Sequence, residues 1–304
     1  MTATSASSGR LFTVVIASLC DDARIDLLKR AVGSVRAMAG SLDYCILIIA
    51  NGPRVSPRVL EWIATQTDIR VIRLRSGSHP LARRIGVEIA DSEFVGFVDD
   101  DDELEADTLA RKIAYFREHP EVDVLVTDGW RINGPRVTKV FPPPEKRSTD
   151  LVDTLMRTGW GAGAVTLRMQ RLDLTAFDTE VRHVEWTLTT LELARRFRFG
   201  YLDETTYRYY ESTPDSLSKC EAHIFGESRV WRRLAHTYAG TPHEATARRN
   251  YLTACREASW ELAYRRKFRD AWRIQLESLR YPGGLRSLPF TARLLFTSLR
   301  RVFA

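Results

Sequence analysis

Cysteine is scarce and scattered: Cys20, Cys45, Cys220 and Cys255 form no CxxC pair. The six histidines are not clustered either, which disfavours a disulfide framework or a structural zinc site, and a reducing compartment suits the chain. No apolar run approaches the ~20 residues a membrane-spanning helix needs. The opening MTATSASSGR is a polar tail without the apolar stretch of a signal peptide, so the expectation is a cytoplasmic protein. No GxGxxG follows the first apolar run, and no GxxxxGKS or GxxxxGKT occurs, which disfavours dinucleotide dehydrogenases and P-loop NTPases. The WGAG at Trp160–Gly163 is too short and too late to replace either.

What is present is the composition of a globular protein, 44% hydrophobic and 28% charged over 304 residues, enough for a substantial core. The net charge of +6 is unevenly spread. From Lys219 onward there are 17 basic and 7 acidic residues, leaving 28 and 32 in the first 218. Catalytic carboxylates are expected in the acidic part, and an anionic surface is expected to meet the basic tail.

Short apolar runs alternate with amphipathic stretches. Leu11–Ala17, Tyr44–Ala50, Ile69–Leu74 and Phe94–Val98 read as strands; Ile25–Met38, Val59–Thr67 and Pro80–Ala90 read as helices. This alternation predicts an α/β fold with a mostly parallel sheet flanked by helices, and ligands beyond the carboxyl ends of its strands. Further on come a helix at Asp107–His119, a strand at Val122–Thr127, and a hairpin around Asn133-Gly134. Helices near Thr149–Thr158 and Glu185–Arg196 and a strand at Tyr201–Tyr210, holding Tyr207, Tyr209 and Tyr210, complete this part. The predicted division is a polar tail at 1–10, a main domain at 11–218 and a helical, basic region at 219–304 with an amphipathic terminal helix.

The run Asp99-Asp100-Asp101-Asp102-Glu103 follows the fourth strand directly. Carboxylates set side by side repel one another unless a cation intervenes. A hard divalent ion, Mn²⁺ or Mg²⁺, would relieve that repulsion and bind a diphosphate as well. The plainer reading, a solvated turn leading into the next helix, is outweighed by the position at a strand's carboxyl end.

These segments together resemble a family-2 glycosyltransferase of the GT-A fold, over roughly residues 11–218. Phe12–Ser18 (FTVVIAS) resembles the family's opening strand, and Leu27–Val35 (LLKRAVGSV) its first helix. Ile48–Gly52 (IIANG) sits at its V-D-D/N-G turn. Leu81–Asp102 (LARRIGVEIADSEFVGFVDDDD) resembles the block that ends in the DXD metal motif, and Phe177-Asp178 followed by Val184-Glu185-Trp186 resembles its "FD…EDW" pattern.

The resemblance implies an inverting, metal-dependent transfer from a UDP-, dTDP- or GDP-sugar to an acceptor hydroxyl, in cell-surface polysaccharide or glycolipid synthesis. Carried over by position, Asp99 and Asp101 would hold the metal. Asp99, Asp100, Arg83, Ser18 and Asn51 would surround the nucleotide sugar, with Asp102 assisting. Glu185 would be the general base that takes the acceptor hydroxyl's proton. Departures are Ala-Ser-Leu-Cys after the first strand, Ala50 in place of an acid, Val184 in place of the first acid of "ED", and Tyr209-Tyr210-Glu211 in place of R-x-H. They leave the nucleobase open.

Trp160 and Trp186 are candidates for stacking on a saccharide or lipid-linked acceptor, against a core role for both. Arg286, Arg293 and Arg300 recur every seven residues at the C-terminus, opposite Leu285, Leu288, Ala292, Leu295, Phe296, Leu299, Val302 and Phe303. That pattern suits a helix lying on an anionic membrane at the inner face of the plasma membrane, with Phe290 and Leu294 exposed, or else a helix packed on the protein itself. The competing functions are a sugar-nucleotide nucleotidyltransferase, which lacks its glycine-rich loop here, and a basic binding protein. Nucleic acid is not expected as a partner, because no nucleic-acid motif is present.

Overall fold

The computed structural model describes residues 9–158, 161–177, 179–181, 184–213 and 221–302. Two compact units emerge, Met1–Arg182 with Glu192–Pro214, and His183–Leu191 with Asp215–Ala304.

In chain order the elements are β1 (Arg10–Ser18), α1 (Ile25–Ala39), β2 (Tyr44–Asn51), α2 (Pro57–Ala64), β3 (Ile69–Leu74), α3 (His79–Ile89) and β4 (Ser92–Phe97). Then follow β5 (Glu103–Leu104), α4 (Leu109–Glu118), β6 (Val124–Asn133), β7 (Arg136–Lys139), α5 (Leu151–Arg157), β8 (Val165–Arg168), α6 (Glu185–Leu193) and β9 (Phe199–Tyr210). The last helices are α7 (Glu221–Thr237), α8 (Glu244–Tyr264), α9 (Phe268–Arg280) and α10 (Leu288–Val302).

Among the described residues the strands form one nine-stranded sheet in the order β3-β2-β1-β4-β8-β6-β9-β5, with β7 beside β6. The run β3-β2-β1-β4 is parallel, as is β6 with β9; β8 lies antiparallel between β4 and β6. The expected α/β sheet is therefore present, with β8 and β5 as strands that periodicity did not reveal. Each is too short, at four and two residues, to set up a readable alternation.

Val14, Ile16, Ile46, Ile48, Phe94 and Val95 are buried, as strands covered on both faces require. Helix α3 runs close against β1 at Gly86, where an added Cβ would lie 2.3 Å from Val15 Cγ1. Ser78 caps α3 by accepting from the Leu81 amide, and Pro80 stands in its first turn, where a missing N–H costs nothing. The glycines of WGAG also serve packing: a Cβ at Gly163 would lie 2.8 Å from the Tyr207 Cβ, and the Gly161 amide donates to the Tyr207 hydroxyl.

In the second unit α8 packs on α7 and α9, and α10 on α8. Its core holds Cys255, Ala258, Leu262, Ile274 and Leu294. The Tyr238 hydroxyl donates to the Leu191 carbonyl at 2.6 Å, tying α7's end to α6. The expectation that Phe290 and Leu294 face outward is corrected here. Leu294 is fully buried, and Phe290 is half-buried with its ring 6.1 Å from that of Trp260. Around α10, residue 294 is turned away from Leu288, Ala292 and Leu295, which lie on the exposed side.

Candidate active site

The acidic loop leaves the carboxyl end of β4 and is gripped by residues of four segments. From α3, Arg83 donates to Asp99 Oδ1 at 2.7 Å. Arg83 lies one helical turn before Gly86, so the close approach of α3 to β1 carries this guanidinium to the loop. From the segment before α1, Arg24 donates through Nε and Nη2 to Asp100, at 3.1 and 2.5 Å to Oδ1, and its Nη2 lies 3.1 Å from Asp101 Oδ2. From α1, Arg30 donates to the Asp101 carbonyl and pairs with Glu103 at 2.9 Å. From β9, the Tyr210 amide donates to Asp102 Oδ1 at 2.9 Å, and the Tyr210 hydroxyl donates to Glu103. The Arg30 guanidinium rests over the Tyr210 ring, 4.3 Å from its centre.

The repulsion expected among the carboxylates is thus answered largely by arginines of the protein itself: Arg24, Arg30 and Arg83 pair with four of the five acidic side chains, Asp99, Asp100, Asp101 and Glu103. Their ionisation divides accordingly. Burial would push the Asp99 carboxyl up, but the Arg83 guanidinium beside it holds it below the usual carboxylate range. Asp101 is raised, first by burial and then by the charges of Asp99 and Asp100. Asp102 is raised well above the ordinary value, chiefly by burial, with Asp99 and Asp101 adding to it. Its Oδ2 is buried and has no hydrogen-bond partner among the described residues.

Solvent access separates the five. Asp99 and Asp101 keep 32% and 15% of their side-chain surface exposed, against 7% for Asp100. Asp99 is the most open of them, and Glu103, at 18%, is about as open as Asp101. Asp100 is a keystone: it receives the Ser18 hydroxyl at 2.6 Å as well as the Arg24 fork.

Ser18 itself is fully buried and also accepts the Cys20 amide, so it shapes the loop after β1, where Cys20 takes a left-handed φ of 48°. Asn51 is likewise fully buried, its Oδ1 accepting the Ser78 amide at 2.8 Å. Both side chains are used inside the protein, and neither has surface with which to border a nucleobase directly. Sequence reasoning missed Arg24, Arg30 and Tyr210. The approach of each depends on pairing between segments roughly 70 to 110 residues apart, which no local pattern announces.

Among the described residues no three His, Cys, Asp or Glu side chains converge as a metal cage. The loop nevertheless offers hard carboxylate oxygens, and the unpartnered Oδ2 of Asp102 is the kind of atom a cation satisfies.

Glu185 belongs to the second unit and is the first residue of α6. Val184 before it holds a left-handed φ of 60°, a conformation a β-branched residue rarely adopts. Trp186 is buried in that unit, whereas Trp160, Asp178 and the stretch 214–218 lie outside the described residues.

The first unit thus combines a parallel sheet with an inserted antiparallel strand, an acidic loop at the carboxyl end of β4, and arginines converging on that loop. The sequence model of Glycosyl transferase family 2 matches residues 14–169, and the chain belongs to that family. It is a glycosyltransferase, which sets aside the nucleotidyltransferase reading. Among solved structures it is similar to TarS 1–349 of S. aureus in complex with UDP-GlcNAc, at 16% identity and a TM-score of 0.63, covering 95% of this chain and 89% of that one. The same TarS fragment in complex with UDP gives 18% identity and a TM-score of 0.57 over 80% of this chain and 70% of the other. These likenesses establish the GT-A fold. No curated protein matches the chain.

Proposed function

We propose that the chain transfers a sugar, with inversion, from a nucleotide-diphosphate sugar to an acceptor hydroxyl, with Mn²⁺ or Mg²⁺ at the acidic loop. The observation that carries this reading is the loop itself: two partly open carboxylates, Asp99 and Asp101, at a strand's carboxyl end and flanked by Arg24 and Arg83. Asp101 and Asp99 would hold the ion, whose remaining ligands would come from the donor's phosphates. Bound there, the ion would supply positive charge against the diphosphate as it leaves.

The residues of the chain do the rest. Arg83 and Arg24 fix the carboxylates and add positive charge to the donor pocket. Asp100, Ser18 and Asn51 act by holding the loops around the nucleotide. Glu185 takes the acceptor proton as its oxygen attacks the anomeric carbon; a carboxylate suffices because the hydroxyl becomes acidic only as that bond forms. The left-handed Val184 beside Glu185 is the kind of strained backbone that collects at functional sites.

The relatives' complexes hold UDP and UDP-GlcNAc, which makes UDP-GlcNAc the first donor to try. Donor binding is read by calorimetry against UDP-, dTDP- and GDP-sugars with and without Mn²⁺. The expected result is metal-dependent binding of one class, lost in Asp101→Asn. In Glu185→Gln, turnover should fall by roughly 10² or more while donor affinity stays within threefold. Metal-independent binding, or normal turnover in that variant, overturns the metal or the base assignment respectively.

A peripheral place at an anionic membrane, with a saccharide or lipid-linked acceptor, is part of the same proposal. It is supported by α10, whose exposed face carries Leu288, Leu295 and Phe296 with Arg293 at its flank.

A further inference from the structure

The first unit contains a second concavity, unrelated to any family motif quoted above. A cavity of about 660 Å³ lies between the β6–β7 hairpin and the segment leading into α5, and Arg131, Arg136, Lys139, Lys146, Arg147 and Arg157 line it. Glu211 is its one acidic lining residue. A concentration of cations this dense is unexpected in the part of the chain where acidic residues outnumber basic ones.

The cations are held in place from behind. Asp128 is fully buried; its Oδ1 accepts the amides of Gly129 and Phe141, and its Oδ2 lies 3.7 Å from Lys139 and 3.6 Å from Arg147. Arg147 also pairs with Asp203 at 3.1 Å and stacks over the Tyr201 ring, and Arg157 pairs with Asp153 at 2.7 Å. None of these three carboxylates lines the cavity, so they orient the basic groups without closing the space in front of them. Arg136 and Lys146 are exposed and make no ion pair among the described residues.

The cavity adjoins the acidic loop through consecutive residues of one strand end. The Tyr210 amide holds Asp102, and Glu211 pairs with Arg131 at 3.2 Å. Guanidinium forks match the paired oxygens of phosphate, and six cations around a space larger than a single phosphate suit a ligand whose negative groups repeat along a chain.

We propose that this cavity binds a phosphate-bearing chain and seats the anionic part of the acceptor beside the donor loop. The second half of the proposal rests on the glycosyltransferase reading; the first half does not.

The test is calorimetric titration of the full chain with tripolyphosphate in metal-free buffer at two salt concentrations. Wild type should bind, with affinity falling as salt rises. The double variant Arg136→Glu, Lys146→Glu should bind about tenfold or more weakly, with an unchanged melting temperature. Should the double variant melt lower, the single change Lys146→Ser at an exposed position gives the same comparison, with about a threefold loss expected. Equal affinity in wild type and variants overturns the proposal. So does tighter binding of a trigalacturonate, which would assign the cavity to carboxylates, or tighter binding of duplex DNA lost in the same variants. Donor binding is a separate arm: if no nucleotide sugar binds, the acceptor role falls, while the tripolyphosphate result still decides the site.

Discussion

Buried charge is the dominant theme at the level of single residues, and the chain handles it in three ways. Asp100 is neutralised by a two-pronged guanidinium, an arrangement whose partner cannot be removed without leaving a charge stranded, typically at about 3–5 kcal/mol. Arg168, also buried, donates to the Val122 and Phe116 carbonyls and lies over the Phe94 and Phe116 rings. Lys112 is the third case. Burial alone pushes its amine down to about 8.

The sign for Lys112 follows from linkage. Below pH of about 8 the amine is charged in both the folded and unfolded chain, and the burial penalty is present in full. As pH rises toward the ordinary lysine value the folded chain releases its proton first, and the penalty fades. Lys112→Met is therefore expected to stabilise the protein at pH 7 by up to roughly 3 kcal/mol, each tenfold change in proton affinity being worth about 1.4 kcal/mol. The gain should shrink progressively as pH rises toward about 10. Urea denaturation at the two pH values checks this; a gain that grows with pH would contradict it.

At the scale of elements, the contact of α3 with β1 carries Arg83 to the acidic loop. Gly86→Val would drive a side chain into Val15, and a loss of about 1–3 kcal/mol is expected. Because Arg83 sits one turn away, donor affinity should weaken along with stability, which denaturant melts and donor titrations report separately. A variant that melts lower yet binds donor as well as wild type would show that the two positions are not linked.

Which elements were legible follows the same physics. β1, β2 and β4 carry apolar runs ended by polar residues, β3 alternates apolar residues with Arg70 and Arg73, and the acidic loop is visible because it follows one of the apolar runs. The strand-like Tyr207, Tyr209 and Tyr210 do lie in β9. By contrast, Arg24 and Arg30 read as the polar residues of an amphipathic helix start, and nothing nearby marks them as partners of aspartates 71 and 76 positions on. The basic cavity was hidden by averaging: its residues spread from 131 to 157 within a segment summed as acidic.

On the scale of the whole molecule, charge and apolar surface are both sorted. The C-terminal region carries the excess of arginine, and its last helix leaves Leu288, Leu295 and Phe296 exposed, beside Leu285 just before it. Monomeric soluble proteins seldom leave neighbouring large apolar groups uncovered without a use. With α10 in contact with lipid, the full chain should sediment with vesicles containing anionic phospholipid, less so at high salt, and the Leu295→Glu, Phe296→Glu variant should remain in the supernatant. Equal sedimentation with purely zwitterionic vesicles would speak against a role for the arginines.

The hydrogen bond from the Tyr210 amide to Asp102 spans 108 positions of chain. Closing a loop of that length has a large entropic cost before any contact within it is rewarded, so folds rich in such links assemble slowly. During synthesis, the first four strands can pair while β9 is still unmade, but the loop of aspartates then lacks the amide that fixes its last member. The acidic loop is thus among the last parts of the first unit to take shape, and a nascent chain passes through a stage with part of the sheet paired and the loop unfinished.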